Sequence, residues 1–433
     1  MTIIIKRLAG IFVLLCSFLS VNSQHFTSSP YSRYGFGDLI DKGFGQNSAM
    51  GGLAIGIQNP TNLNIINPAS YTAIPMQTFT FEVGLFSKYT RQKTNDWTQE
   101  KTNVNLNYLA MAFPITKWLK ASAGLLPYSC IGYDIKSYKS LFNKGYIVGE
   151  YTSMYKGKGG INQVYFGNSI APIKGFSFGY NISYLFGTLD QSYLLDFSDN
   201  ADESRLYIEK NTRVHDFMFN LGAQYSTQIS DKIFLTLGAI WEKEQDITAF
   251  RQSKAFNSQH VNGIALPKKE LKNDTIKNGK INLPEKVGFG FSLKSSKILF
   301  GVDYTMQDWT EARFFGEKDN NLAKYTKLAA GFEYTPDYAS IKYYNVIRYR
   351  VGAHMTDTYV KMDNGKGGNE QIKNYGITFG VGLPLKNSNT IFNVAFEFGK
   401  RGTTDFNLLD ETYGIIRLNA SLHDIWFLKY RFQ

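Results

Sequence analysis

Residues 43–71 read GFGQNSAMGGLAIGIQNPTNLNIINPASY, and this stretch lies between an export signal and the first segment with the pattern of a strand. It is rich in small residues, contains two Asn-Pro pairs and shows little periodicity. Gly51 and Gly52 allow positive φ and close approach of another backbone. Each proline fixes its own φ and biases the residue before it away from helix. We therefore predict a compact plug with tight corners, followed by a series of strands.

Alternation of apolar and polar side chains carries the strand predictions after this plug. In residues 298–307 the even positions are apolar and the odd positions are small or polar, and residues 375–383 and 391–401 alternate in the same way. A soluble sandwich would show the same alternation. A glycine-rich, charged polar face, short turns alternating with long loops, and aromatic residues at strand ends favour a membrane barrel. The aromatic residues at predicted strand ends are Trp118, Trp241, Trp309, Tyr334 and Trp426.

The segmentation predicts an all-β fold, a transmembrane antiparallel β-barrel of about 14 strands with an N-terminal hatch inside the lumen. The predicted strands are 75–89, 104–115, 118–133, 160–171, 175–195, 206–228, 232–248, 283–294, 297–309, 324–335, 345–360, 372–384, 390–400 and 411–422. The predicted long loops are 90–103, 134–159, 249–282, 310–323 and 401–410. All of these loops follow strands that run in the same direction, so they belong to one side of the barrel.

The N-terminal end of the chain carries a targeting feature. Lys6 and Arg7 precede an apolar stretch at residues 8–19 that is too short to span a bilayer as a helix, so residues 1–23 are predicted to be a signal peptide. A lipoprotein modified at Cys16 and an uncleaved anchor are the alternatives. We expect three parts, the signal peptide 1–23, the hatch 24–74 and the outer-membrane barrel 75–433. Such a protein belongs in the outer membrane of a Gram-negative bacterium.

The spacing of the histidines and the distribution of basic residues argue against an enzyme and against a nucleic-acid-binding protein. The five histidines lie far apart in sequence and form no metal or triad spacing, and we expect neither a catalytic site nor a cofactor. The net charge of +11 is not accompanied by a basic helix or a nucleic-acid-binding motif. Basic residues accumulate between positions 250 and 280, where they would attract the anionic lipids and lipopolysaccharide of the outer membrane. Ordinary solvated loop charge is the simpler explanation.

Three motifs in order along the chain resemble the FadL-type outer-membrane transporters, including related proteins of Bacteroidetes. They are AMGGLAIGIQNPTNLNIINPASY at 49–71, LPEKVGFGFSLK at 283–294 with a following strand that ends in DYTMQDW, and HDIWFLKYRFQ at 423–433. The resemblance implies a hatch inside the barrel and a kinked third strand that forms a lateral opening. The alternating C-terminal motif is also similar to the signal that barrel-assembly machinery reads. We expect a bend near His423-Asp424, because a carboxylate on a lipid face is unfavourable.

The third predicted strand contains a proline, which cannot donate a ladder hydrogen bond and usually marks an edge or a bulge. Pro127 lies between Gly124 and Gly132. A closed barrel has no edge, so we expect a kink that breaks pairing with a neighbour and opens a gap in the wall. The alternative is a harmless bulge at the barrel rim.

The predicted site follows from these elements. The hatch and ligand-binding residues are Phe44, Met50, Gly51, Gly52, Asn67, Pro68 and Ala69, although any one of them can simply pack the plug against the wall. Arg348, Arg350 and Glu397 face the lumen by alternation. The two arginines would meet an acidic head group or, alternatively, belong to a salt-bridge network that holds the plug.

We expect passive uptake of hydrophobic small molecules, such as long-chain fatty acids or aromatic hydrocarbons, through a hatch-gated lumen and a lateral opening. An apolar solute gains free energy on leaving water, roughly 25 cal/mol per Å², so a greasy pocket attracts it and a side gap returns it to the bilayer. A barrel subunit or shuttle of a protein secretion system is the alternative. A third interpretation is a structural barrel with a permanently closed lumen.

Overall fold

The computed structural model describes residues 27–143, 146–197, 205–261, 264–365, 367–386 and 388–425. The predicted signal peptide at 1–23, with Cys16, and the C-terminal residues 426–433, with Trp426, lie outside the described residues. Helices in the described part are short, at Pro30–Arg33, Gly45–Ser48, Pro68–Ala73, Tyr343–Val346 and Asp405–Asn407. None of these helices is long and apolar enough to cross a membrane.

The wall is a closed antiparallel barrel of 14 strands, as the alternation predicts. We number these strands β1 to β14. Their bounds are Thr78–Lys93, Thr98–Pro114, Leu119–Asn143, Tyr146–Ile173, Phe176–Phe197, Arg205–Ser230, Ile233–Glu242 continued by Gln245–Val261, Ile264–Leu283 continued by Lys286–Lys294, Ile298–Asp308, Lys324–Tyr334, Arg348–Asp363, Asn369–Pro384, Ile391–Gly402 and Asp410–Ile425. Strand β14 pairs with β1 along its whole length and closes the ring.

Apolar side chains on the outer face form a belt that passes from strand to strand. Because residues directly opposite in an antiparallel pair share a face, the pairing register aligns one exposed residue of each strand into a row. Between β9 and β14 this row consists of Phe300, Phe332, Val351, Phe379, Phe396 and Ile416, which are all exposed. An exposed apolar belt of this kind is the lipid-facing surface of an outer-membrane barrel.

Three of the predicted loops are wrong. In segment 90–103, β1 and β2 pair as far as Lys93 opposite Thr98, so only residues 94–97 form a turn. Segments 134–159 and 249–282 are the upper parts of long hairpins, in which β3 pairs with β4 as far as Asn143 and β7 pairs with β8 as far as Val261. Strands β3 to β8 pair with one another in sequence order, so a six-stranded sheet rises above the rest of the barrel. The polar composition that suggests loops reflects water on the outer face of this sheet, not the lack of a strand. We call the side with these hairpins the outer side, because long loops of outer-membrane barrels are extracellular.

Two further expectations require correction. Trp309 does not belong to an aromatic girdle, because its side chain is 0% exposed and packs inside the lumen, whereas Trp118 is 59% exposed. The segment that begins with Trp309 folds inward over the barrel, and Phe314 pairs with Ile281 along the edge of β8 that is not paired with β7. The chain also does not bend at His423-Asp424, since β14 continues to Ile425 in register with β1. Asp424 lies at the exposed rim, where its carboxylate reaches water.

Residues 27–77, which we call the N-terminal segment, are enclosed by the wall. Met50 lies against Gly331 and Gly352 of β10 and β11, and Ile55 lies against Gly238 of β7. A Cβ on any of these wall glycines would come within 3 Å of the segment. The same holds on other strands for Gly132, Gly179, Gly222, Gly290 and Gly380. The glycine-rich inner face of the wall therefore makes room for this segment.

Candidate functional site in the lumen

The lower part of the N-terminal segment is held by an apolar cluster near the periplasmic turns. Phe44 stacks on the ring of Tyr108 of β2, with the ring centroids 3.6 Å apart and an angle of 7° between the planes. The other members of this lower cluster are Leu63, Ile65, Tyr71, Ile74, Ala110, Ala112, Leu126 and Tyr165. Phe44 is thus used for packing between the segment and the wall.

Asn67, Pro68 and Ala69 form a rigid corner between the segment and strands β5 to β7. The Asn67 side chain accepts a hydrogen bond from the Ala69 N–H at 3.2 Å and so caps the helix Pro68–Ala73. Its amide nitrogen donates to the carbonyl of Ile55 at 2.8 Å and to that of Ala223 in β6 at 3.2 Å. The Asn-Pro-Ala motif therefore fixes the segment on itself and on the wall.

Met50, Gly51 and Gly52 lie against strands β10 to β12. Gly51 has φ +70°, donates its N–H to the Thr378 hydroxyl at 2.8 Å, and comes so close to the backbone of Ala353 that a Cβ would lie 2.6 Å from its carbonyl oxygen. Gly52 has φ +83° and faces Lys327. Both positions have a left-handed backbone that favours glycine, and at Gly51 the backbone of Ala353 also leaves no room for a Cβ.

A layer of ion pairs lies above these contacts and joins residues 38–42 of the segment to several sides of the wall. Asp38 binds Arg401 of β13 at 2.8 Å, and Asp41 binds Lys327 of β10 at 2.5 Å. Lys42 lies 3.7 Å from Glu242 of β7. Glu242 also meets Lys286 of β8, at 3.4 Å. Because these partners belong to different strands, the ion pairs fix the position of the segment across the lumen.

Burial makes these charges dependent on their partners. Asp41 borders the cavity and its side chain is 41% exposed, whereas Lys327 is 14% exposed. Partial removal from water would raise the pKa of Asp41, but the Lys327 ammonium outweighs this effect and holds that pKa below its ordinary value. Burial lowers the pKa of Lys42, and the Glu242 carboxylate offsets only part of this effect. The position against the wall thus favours the ionised form of Asp41 and disfavours that of Lys42.

Glu397 belongs to this charged layer and borders a cavity of about 280 Å³. Its carboxylate accepts from Arg417 at 2.6 Å and from the Tyr413 hydroxyl at 3.1 Å, and lies 3.0 Å from His354. Further charged groups line the same cavity, namely Asp38, Asp41, Lys42, Lys88, Lys286, Asp303, Lys327 and Arg401. The cavity has a mixed surface with many charges and is not the greasy pocket expected from the sequence.

Arg348 and Arg350 lie nearer the periplasmic end and do not share the site of Glu397. Arg350 donates to Glu333 at 2.7 Å and to Asn393 at 2.6 Å, and Glu333 in turn accepts from Gln46 of the segment. Arg348 donates to the Thr61 hydroxyl at 3.0 Å. Arg350 thus forms a salt bridge that also contacts the N-terminal segment, whereas Arg348 contacts the segment through a hydrogen bond to a hydroxyl group.

An upper apolar cluster covers the charged layer on the outer side. Phe36 of the segment is 0% exposed and packs against Tyr128, Trp309 and Phe314, with ring centroids 6.5, 6.1 and 5.4 Å away. Further members come from most of the wall and are Tyr31, Ile131, Tyr133, Ile161, Leu185, Leu189, Val214, Met218, Ile247, Ala249, Ile281, Leu283, Ala312, Leu322, Tyr359, Val360, Ile372, Leu408 and Leu409. The lumen is closed at this level by the protein's own side chains.

Strands β2 and β3 are paired over only part of their length. Their register ends where Leu109 lies opposite Leu125, just below Pro127, and a bulge between Pro127 and Ser129 shifts the pairing of β3 with β4. Beyond this point β3 pairs with Asp38–Leu39 of the segment instead. We call this discontinuity the β2–β3 seam.

The two glycines of the third strand lie on either side of this break. A Cβ on Gly124 would come within 2.5 Å of the Leu109 carbonyl, so this glycine allows close pairing below the seam. Gly132 lies above it, where its N–H donates to the Ser32 hydroxyl at 3.0 Å and its missing Cβ makes room for Thr27. The N-terminal segment thus covers the seam from inside.

Sequence reasoning missed most of the charged layer. Asp38, Asp41 and Lys42 precede the quoted motif and carry no recognisable spacing, while Glu242 and Lys286 flank the interruptions in β7 and β8. Alternation could have placed Arg417 on the inner face, because it shares its strand phase with Asn419 and Ser421, which both face the lumen. Across the described residues, acidic, histidine and cysteine side chains form no cluster of three that suits a metal ion.

The barrel has the fold of the FadL-type outer-membrane proteins. It superposes on the toluene transporter TbuX of Ralstonia pickettii with a TM-score of 0.56 and 15% identity, covering 89% of this chain and 99% of that one. The toluene transporter TodX of Pseudomonas putida gives 0.55 and 15%, covering 90% and 100%. A FadL homologue of Pseudomonas aeruginosa gives 0.59 and 11%, covering 91% and 100%. At these identities the likeness establishes the fold.

The family model of BamG matches residues 4–433. The chain belongs to the BamG family. No curated protein matches it.

Proposed function

We propose that this protein is a closed outer-membrane barrel that acts as a subunit of the barrel-assembly machinery of a Gram-negative bacterium. The observation that carries the proposal is the closed lumen, in which the upper cluster and the charged layer bind the N-terminal segment to the wall. The name of the family, BamG, hints at an association with barrel assembly. In this function the apolar belt faces the lipid, and the protein contributes surfaces to partner proteins rather than a conduit.

The energetics of the lumen support a static segment. Opening a path would separate buried ion pairs, and breaking one buried pair costs about 3–5 kcal/mol when one charge is left without its partner. It would also expose Phe36 and its neighbours, at roughly 1.5–3 kcal/mol for each large apolar side chain. A subunit that never opens keeps all of these contacts, so they stabilise it throughout its function.

A disulfide between the segment and the wall tests this proposal. Leu39 and Ser129 lie directly opposite in an antiparallel pair, a spacing compatible with a disulfide. We would introduce Leu39→Cys and Ser129→Cys in a Cys130→Ala background, because Cys130 is the neighbouring free thiol. Leu39→Cys alone in the same background is the control.

The readout is the amount of other β-barrel proteins in the outer membrane. Deleting the gene is expected to lower this amount, and the oxidised, locked variant is expected to restore it as fully as the control does. If deletion leaves all other outer-membrane barrels at their normal level, the assembly function is wrong. If locking abolishes complementation, the segment moves during the function.

A second candidate is passive uptake of hydrophobic small molecules through the hatch and a lateral opening. The specific observation in its favour is the β2–β3 seam, because the cavity of the charged layer is lined there by Phe86, Asn107, Tyr128 and Cys130. TbuX and TodX, which share the fold, are toluene transporters. In this function the hatch expected at 24–74 is the part that moves. The many charges that line the cavity count against an apolar ligand.

The uptake function predicts different results for the same variants. The oxidised Leu39–Ser129 lock is expected to abolish uptake of toluene or long-chain fatty acids, and reduction is expected to restore it. Pro127→Val is expected to slow uptake, since it lets β3 pair more regularly. Uptake that is equal with and without the gene excludes this candidate. A role in protein secretion predicts instead that deletion retains secreted proteins in the periplasm while other barrels assemble normally.

A further inference from the structure

The inner face of the raised sheet carries two cations, Lys210 and Arg251, that form no ion pair with the part of the chain that the structure describes. Lys210 of β6 lies opposite Ser253 of β7, which lies opposite Asp274 of β8. On the next rung Thr212 lies opposite Arg251. Val214 of β6 belongs to the upper cluster. Because alternate residues of a strand share a face, Lys210 also points toward the barrel mouth.

Neither cation is neutralised by an ion pair with a described residue. Arg251 has its guanidinium 4.2 Å from the centroid of the Phe315 ring, and this stacking leaves the N–H edge of the guanidinium open. Asp274, which lies on the same face of the sheet, is bound by Lys272 at 2.6 Å. The two positive charges therefore lie diagonally to each other on one face of the sheet, and an anion between them would reduce their repulsion.

The pKa of Lys210 is lowered, as expected from this geometry. Burial lowers the pKa of Lys210, and the charge of Arg251 lowers it further. The carboxylates of Glu317 and Asp319 raise it, but they do not compensate for the other two effects. Lys210 thus lies in a surrounding that favours an additional negative charge.

A cavity and a strained residue complete the site. The cavity measures about 470 Å³ and is lined by Lys210, Arg251, Ser253, Asp274, Thr275 and Ile276. Phe315 has φ +57°, which is uncommon for a residue other than glycine, and its N–H donates to the Lys280 carbonyl at 2.8 Å. Strain of this kind persists where the surroundings require it, and here it places the ring against Arg251.

We propose that Lys210 and Arg251 form an extracellular binding site for a phosphate group. The ammonium, the guanidinium edge and the hydroxyl of Ser253, which share this face of the sheet, supply donors to several oxygens at once, which suits a tetrahedral oxyanion better than a halide. The group comes either from free phosphate or from a phosphorylated glycan of the cell surface. This proposal is independent of the function of the barrel in assembly or uptake.

Calorimetric titration of the purified full-length protein in detergent with inorganic phosphate tests the site. Lys210→Met and Arg251→Met are each expected to weaken binding about tenfold or more, as loss of one charged hydrogen-bonding partner does. Arg213→Met is the matched control, because Arg213 also lies over an aromatic ring, that of Phe250, but points to the other face of the same sheet. It is expected to bind as the wild type does. Heat-modifiable electrophoretic mobility shows that each variant is folded.

Lipopolysaccharide with and without its phosphates distinguishes the two sources. Preference for phosphorylated lipopolysaccharide over the dephosphorylated form, lost in Lys210→Met, supports a glycan phosphate. Binding of inorganic phosphate without that preference supports free phosphate. If the wild type shows no saturable phosphate binding, or if Arg213→Met weakens binding as much as Arg251→Met, the proposal is overturned.

Discussion

The charged layer and the upper apolar cluster both join the N-terminal segment to the wall, but they do so by different physics. Phe36 and its neighbours are held by burial, which has no direction and tolerates small shifts. Asp38, Asp41 and Lys42 each require one partner at one distance. Burial is therefore expected to supply most of the stability, whereas the ion pairs fix where the segment lies, since a buried pair repays little more than its desolvation.

The largest effect on the free energy of unfolding is expected from a substitution in the upper apolar cluster. Phe36→Ala removes a fully buried ring from between Tyr128, Trp309 and Phe314, and should lower the free energy of unfolding by about 3–5 kcal/mol. Urea titration of the refolded barrel in lipid vesicles measures this. The control is Tyr138→Ala, a side chain that is 74% exposed, for which we expect a change below about 0.5 kcal/mol. Equal effects of the two substitutions would contradict the buried role of Phe36.

The next effect tests the charged layer. Glu397→Gln leaves Arg417 and His354 without their carboxylate, and should cost about 3 kcal/mol of unfolding free energy. The double variant Glu397→Gln with Arg417→Met should lose less than the sum of the two single variants, because no charge then remains unpaired. The same titration in vesicles provides all three values. Additive losses would show that the pair is not coupled.

The apolar belt and the alternation of the wall strands are predictable from the sequence. Alternation around Phe300, Phe379 and Phe396 identifies the lipid-facing row, because one face of each strand meets a uniform solvent. The same rule places Arg350 and Glu397 on the inner face. The glycines and prolines of residues 43–71 predict irregular backbone with tight turns, because these residue types act on local backbone geometry.

Contacts between residues that are distant in sequence are not predictable. Nothing in the neighbourhood of Asp38 indicates Arg401, which follows more than three hundred residues later. Trp309 resembles a girdle residue in sequence, and only the inward fold of the segment after β9 buries it. The raised sheet has the sequence pattern of loops at 134–159 and 249–282, since polar residues on strands above the membrane have no apolar face to mark them.

A smaller effect separates close packing from backbone conformation. Gly51→Ala meets both a left-handed φ and the Ala353 carbonyl, whereas Gly316, at φ +83°, has no atom within 4 Å of the place that an added methyl group would occupy. The strained φ alone should cost about 1 kcal/mol in Gly316→Ala. In Gly51→Ala the added clash should bring the loss to about 2–4 kcal/mol. Similar values for the two variants would mean that the segment shifts away from β11 at little cost.

The smallest effect is expected from an ion pair in water. Lys318 and Glu311 are 2.7 Å apart, but their side chains are 45% and 76% exposed. Their charges are well solvated before they meet, so the attraction is offset by the entropy of holding two long side chains. Lys318→Ala should change the free energy of unfolding by less than about 0.5 kcal/mol, with no more sensitivity to salt than the wild type shows. A loss comparable to that of Glu397→Gln would mean that burial does not explain the difference between these ion pairs, and that the fold of residues 309–323 over the mouth depends on this contact.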